Sequence, residues 1–172
     1  MDFEPIAQGI TQMITDFGGA SFRSGLYRLH SFGSMLKWTD IATEAFPEFQ
    51  NHIYCFGYDW LGRQFAVDCR KISDGQTQIV LLDIGFGEAL VIPTSFLVFH
   101  DIELVDYSAD ALAEPFYNEW LAAGGAQPLS HECIGYRVSP FLGGKDEVHN
   151  LELTDMEVYW GIAGQIRARI PK

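Results

Sequence analysis

Five histidines and three cysteines are the side chains of this sequence best able to transfer protons, attack as nucleophiles or bind a metal. The histidines, His30, His52, His100, His131 and His149, are scattered. None forms the His-x-x-x-His or His-Glu-x-x-His pair that places two zinc ligands on one helical face. His131-Glu132-Cys133 is the densest cluster of ligand-type residues, but neighbours on an extended segment point to alternating faces, so a plain strand start is the better reading. Cys55, Cys69 and Cys133 are odd in number and unrelated in spacing, with no Cys-x-x-Cys pair; they read as small buried hydrophobes in a reducing compartment. Gly85-Phe86-Gly87 lacks the third glycine and following helix of a dinucleotide site, and no Gly-x-Ser-x-Gly elbow occurs. Nothing selects a Cys, His and Asp set brought together through space. The sequence therefore predicts no catalytic residue, no metal ligand and no cofactor.

Charge points elsewhere. Asp and Glu number 23 against 11 Lys and Arg, a formal net charge of -12. Such a field repels nucleic acid and anionic lipid surfaces, yet attracts basic proteins and speeds their capture. From Ile72 to Tyr136 there is no Lys or Arg, while Asp74, Asp83, Glu88, Asp101, Glu103, Asp106, Asp110, Glu114, Glu119 and Glu132 fall in that stretch. This is either a solvated surface that maintains solubility or a docking face for a cationic partner. Among the tryptophans, Trp38, Trp120 and Trp160 read as core. Trp60, in the Asp59-Trp60-Leu61-Gly62 connection, is either a buried strut or an exposed partner anchor.

The elements that must position these residues follow from periodicity. A chain of 172 residues with 48% hydrophobic content can enclose one sizeable core, and no repeat or Gly/Pro/Ser-rich linker divides it. The expectation is a single domain over 1–172, with a helical part over 1–50 sharing its core with a sheet and C-terminal helices over 51–172. Met1-Asp2-Phe3-Glu4-Pro5 has no basic or apolar signal region, and no stretch approaches the ~20 apolar residues of a membrane span, so the expected location is cytoplasmic, without membrane contact. Ile6, Ile10, Met13, Ile14 and Phe17 predict a first helix ending at Gly18-Gly19, and Ser34 to Phe46 a second, stopped by Pro47. Ile53–Tyr58, Arg63–Arg70, Thr77–Leu82 and Ala89–Ile92 alternate between turn residues and predict an antiparallel meander. Asp68, Arg70 and Arg63 read as surface or half-buried ion pairs. Beyond the meander come a short helix over Ser95–Phe99, a longer one over Ala109–Ala122, a strand over Cys133–Val138 and a closing helix. For that helix Thr154-x-x-Glu157 has capping-box spacing, and Asn150 to Ile170 could be partly strand. The fold class is α+β, a central antiparallel sheet of four to five strands flanked by N-terminal and C-terminal helices.

Two blocks carry a resemblance. Gly57-Tyr58-Asp59-Trp60-Leu61-Gly62-Arg63-Gln64-Phe65-Ala66-Val67-Asp68 resembles the central signature of a bacterial domain family long classed as of unknown function. Phe141-Leu142-Gly143-Gly144-Lys145-Asp146, with Asn150-Leu151-Glu152, Asp155-Met156-Glu157-Val158-Tyr159-Trp160 and Gly164-Gln165, resembles its closing motif. The family includes the C-terminal domain of type VI secretion immunity proteins, with an N-terminal half similar to a GAD-like domain, and the likeness runs from about Gly25 to Ile166. It implies a non-catalytic role, binding a cognate toxin, in the best-known case a DNase. An acidic inhibitor suits a basic nuclease cleft. The expected partner-binding residues are the carboxylates Asp101, Glu103, Asp106, Asp110 and Glu114, with Trp60 or Tyr107 as aromatic anchor. A homodimer is compatible with the same composition. A regulatory or scaffold protein with a partner unrelated to toxins, and a small-molecule enzyme with a deep polar pocket, are the alternative readings.

Overall fold

The computed structural model describes residues 3–170; the first two residues of the Met1 to Pro5 segment and the last two of the chain lie outside it. Helix α1 runs Ile10–Phe17 rather than from Ile6. Gly9, at a left-handed φ of 80°, breaks the helical path, and the Phe3 carbonyl closes a turn by accepting from the Ile6 and Ala7 amides. Ser21–Phe22 (β1) and Tyr27–Leu29 (β2) are strands too short to show any alternation in sequence. Helix α2, Phe32–Ala45, starts before the expected Ser34 because Ser31 is its cap. The Ser31 hydroxyl accepts from the Ser34 amide, and the Ser34 hydroxyl accepts from the Ser31 amide.

The four alternating runs become β3 (Ile53–Asp59), β4 (Gln64–Ser73), β5 (Gln76–Asp83) and β6 (Glu88–Ile92), joined as the expected antiparallel meander. With β1 and β2 on its β3 side the sheet has six strands in sequential order, more than the four to five expected. Close packing of β2 on β3 requires Gly57: a Cβ there would lie 2.5 Å from the Tyr27 hydroxyl oxygen and 2.8 Å from the Arg28 carbonyl.

Both sheet faces are covered along the first half of β4, so every residue from Gln64 to Asp68 is buried, while Arg70 to Ser73 are exposed. Phe65, Val67, Ile79 and Leu81 pack in one cluster with Ile10, Phe96, Phe99 and Leu112. Ala66, Val80 and Leu82 pack in the other with Trp38 and Ala42 of α2 and with Trp160 and Ala163.

After β6 the chain turns helical. Helix α3, Phe96–Val98, is capped by the Ser95 hydroxyl and runs on through a π-helical turn, Phe99–Glu103, into α4, Leu104–Asp106. The single helix expected over Ala109–Ala122 is instead two, α5 (Ser108–Ala111) and α6 (Glu114–Ala122), separated at Ala113, whose φ is 50°. Pro115 is the physical reason: it has no amide hydrogen, and its ring would collide with the Ala111 carbonyl of a continuous helix. Strand β7, Glu132–Tyr136, pairs with β8, Leu151–Asp155, in a separate two-stranded sheet. That pairing displaces the expected capping box. Thr154 is held opposite Cys133 in the ladder, and Asp155 caps the closing helix α7, Met156–Arg167, by accepting from the Val158 amide. The architecture is α+β, with α2 and α7 packed together on one face of the six-stranded sheet.

Candidate functional site

The groups that could have carried chemistry are tied into the fold. Cys55 and Cys133 are buried, which pushes their thiols well above the ordinary range, Cys55 to about 12. His131-Glu132-Cys133 separates as strand geometry requires. The Cys133 side chain enters the core, the Glu132 carboxylate accepts from the Leu129 amide, and the His131 carbonyl accepts from the Met156 amide. Among the described residues no group of three or more His, Cys, Asp or Glu is placed to hold a metal ion.

His30 donates from Nε2 to Gln64 Oε1 at 2.8 Å and stacks on Tyr58. His100 Nδ1 lies 2.8 Å from the Phe96 carbonyl, which can only accept, so Nδ1 carries the proton and Nε2 accepts from the Tyr27 hydroxyl at 3.0 Å. Burial holds each imidazole down to about 4. A folded value below the unfolded 6.5 means stability that is present above about pH 6.5 and lost as pH falls toward 4. Replacing His100 with glutamine removes that dependence. In urea titrations the stability difference between wild type and the His100→Gln variant should shrink by about 2 kcal/mol from pH 7 to pH 5; a constant difference would contradict a neutral, buried His100.

The hairpin between β3 and β4 holds a buried ion cluster. Asp59 accepts from the amides of Leu61 (3.1 Å) and Arg63 (3.0 Å) and from Arg63 Nε (2.7 Å). Burial raises Asp59 to about 6 despite Arg63, and Asp83 is raised as well, again by burial. Arg63 thus pairs with Asp59, while Asp68 pairs with Arg70 at 2.8 Å. Arg63 also donates to the Ala111 carbonyl (3.2 Å), a group freed by the break before Pro115. Trp60 Nε1 donates to the Leu112 carbonyl (2.9 Å), and its ring packs on Phe116 and Tyr117. The signature hairpin therefore anchors the end of the segment that carries the acidic residues.

That segment, Phe96 to Ala111, forms a ridge. Phe96 and Phe99 fill the core below it, while Asp101, Asp106, Tyr107 and Asp110 face solvent and Glu103 is half-buried. Among the described residues no Lys or Arg forms an ion pair with these four carboxylates. Two residues expected on the binding face lie elsewhere. Trp60 is 0% exposed, because Leu112 and the α6 residues Phe116 and Tyr117 close over it. Glu114 is already committed to an ion pair with Arg23 and accepts from the Ser108 hydroxyl. Exposed apolar residues unforeseen in the sequence accompany the carboxylates: Val98 precedes them, and Ile102 and Val105 stand between them. Their helical spacing was readable, but nothing in it says that Phe96 and Phe99 take the core side. A groove of about 350 Å³ lies on one flank of the ridge, between Asp101, Leu104 and Val105 and the N-terminal Met13, Phe17 and Phe22. A slot of about 290 Å³ lies on the other flank, between Glu103, Tyr107 and Asp110 and the β6 residues Leu90 and Ile92.

Fold and site together define an α+β protein with a surface ridge on which four carboxylates, Asp101, Glu103, Asp106 and Asp110, have no Lys or Arg ion-pair partner among the described residues. Residues 96–167, from the first residue of that ridge to the last of α7, match the family described as T6SS immunity protein Tdi1, C-terminal, which is the family recognised from the motifs. The Gly57 to Asp68 block lies outside the matched residues. No curated protein matches the sequence. Among solved structures, the crystal structure of Atu4351 from Agrobacterium tumefaciens is similar with a TM-score of 0.62, covering 94% of this chain and 76% of that one at 15% identity, a likeness of fold alone. No helix among the described residues is long and apolar enough to cross a membrane.

Proposed function

We propose that this chain is an immunity protein that binds and neutralises a cognate type VI secretion toxin, docking it on the ridge from Phe99 to Asp110. The family match supports the immunity role. The observation that carries the docking face is the set Asp101, Glu103, Asp106 and Asp110 on one segment without a basic partner. Charge of one sign on a surface steers a partner of the other sign and raises its capture rate. The toxin is therefore basic, and a nuclease with a cationic DNA-binding cleft fits that description, since covering the cleft blocks its substrate. Tyr107, 55% exposed beside three of the carboxylates, supplies the aromatic anchor in place of Trp60. The complex forms inside the producing cell without nucleic acid or membrane contact.

A toxin recovered with this chain as bait from its own cells should stop growth when expressed alone, and co-expression of this chain should rescue it. The triple charge reversal Asp101→Lys, Asp106→Lys, Asp110→Lys should slow association about ten-fold or more at low salt. Its thermal stability should hold, because these side chains are exposed and make no hydrogen bond or ion pair among the described residues. An unchanged association rate in stopped-flow measurements would place the docking face elsewhere.

A further inference from the structure

The two ends of the six-stranded sheet differ. At one end β1 has only two residues, which offers little backbone to pair with. At the other end β6 has five residues, and among the described residues no strand pairs with its outer side. Sheet edges are normally protected by shortness, by a lysine or proline within the strand, by a bulge or by a covering element. Glu88-Ala89-Leu90-Val91-Ile92 contains neither lysine nor proline, with Pro93 just beyond it, and it pairs with β5 in unbroken register. Leu90 is 48% and Val91 53% exposed, on opposite faces of the strand, so solvent reaches the edge from both sides.

Beside this edge lies the second flank of the ridge. The slot there has an apolar floor from Leu90, Ile92 and Phe99, and Glu103, Tyr107 and Asp110 at its wall. A strand added outside β6 would turn alternate side chains toward this slot, where an aliphatic stem meets the floor and a cationic head meets Glu103 and Asp110. Resting on the immunity reading for its biological partner, we propose that the free edge of β6 is a strand-addition site for an extended, basic segment of the toxin, read by backbone pairing along residues 88–92 and by the acidic slot beside them. A second copy of this chain is the poorer occupant. Edge-to-edge pairing of two copies would bring two acidic slots, each with Glu103 and Asp110, to one seam, in a chain already carrying a net charge of -12.

The test uses the full-length, isotope-labelled chain and a short synthetic peptide of alternating lysine and valine, followed by NMR. Saturable shifts are expected in the amides of residues 88–92 together with Tyr107. Peptides N-methylated at every second residue give the decisive comparison. Methylation of one alternating set should weaken binding about ten-fold or more and of the other set should not, because only one edge of an added strand faces β6. A glutamate and valine peptide should not bind, and Leu90→Lys, which places a cation at the slot floor, should abolish the shifts while leaving the rest of the spectrum intact. The proposal is overturned if no saturable shift appears, if both methylated peptides bind like the parent, or if the acidic peptide binds equally. It is also overturned if sedimentation of the chain alone shows a dimer in which the amides of 88–92 are protected from exchange. Growth rescue without β6 binding rejects the edge and keeps the immunity reading; β6 binding without rescue does the reverse.

Discussion

Trp60→Ala is expected to unfold most of the population at moderate urea concentrations where the parent is native. Removing a fully buried tryptophan costs about 3–5 kcal/mol in packing. The Leu112 carbonyl, which accepts from the indole at 2.9 Å, is left unpaired at about 1–3 kcal/mol more. The sum is a large share of the roughly 5–15 kcal/mol that holds a domain together. Trp60 also joins elements distant in sequence: its amide donates to the Leu26 carbonyl and its carbonyl accepts from the Ile134 amide. Trp60→Phe separates the two contributions. It keeps most of the ring packing on Phe116 and Tyr117 and should lose little beyond the hydrogen bond. Urea titrations followed by circular dichroism read both variants. A loss under about 1 kcal/mol for Trp60→Ala would mean that the indole is not the strut described above.

Arg63→Ala should be nearly as damaging and should show a characteristic pH response. It leaves the Asp59 carboxylate buried without its cation and withdraws the nearest positive charge from Asp83, a change that costs about 3–5 kcal/mol in comparable buried pairs. Asp59 already has a folded value raised from 3.8 to about 6. A raised carboxylate contributes stability that is present below its unfolded value and lost as pH rises through the folded one. Without Arg63 the folded value moves higher still, so the deficit of Arg63→Ala relative to wild type should be largest near neutral pH and shrink toward pH 4. A deficit independent of pH would attribute the loss to the bond between Arg63 and the Ala111 carbonyl instead.

Both sites lie in the segment Asp59 to Arg63, the block that stood out in the sequence, although it falls outside the residues matched by the family comparison. Its function in the fold was not legible there. A tryptophan in a hairpin connection is compatible with exposure or burial, and the choice depends on whether a segment fifty residues later closes over it. The acidic stretch was fully legible as composition, but the subset free to meet a partner was not. Glu114 is committed to Arg23, a residue far away in sequence, and Asp83 lies buried, within the field of Arg63. The β6 edge was visible as an alternating run, yet its being the end strand is a property of the whole sheet.

By itself the sequence determined the α+β class, the meander, the absence of the common catalytic spacings and the long stretch without Lys or Arg. These are local or additive properties: periodicity records which faces of an element differ, and charge sums without regard to position. Pro115 was a local signal of the same kind, a helix breaker in the sequence itself. Only the tertiary structure decided that Trp60 is interior, that the Ala111 carbonyl freed by that break accepts from Arg63, and that Thr154 is drawn into a ladder with Cys133. It also decided that Asp101, Asp106 and Asp110 share one exposed ridge. Those outcomes rest on contacts between residues far apart in the chain, where burial and pairing are set by what lies across the interface rather than by what lies next in the sequence.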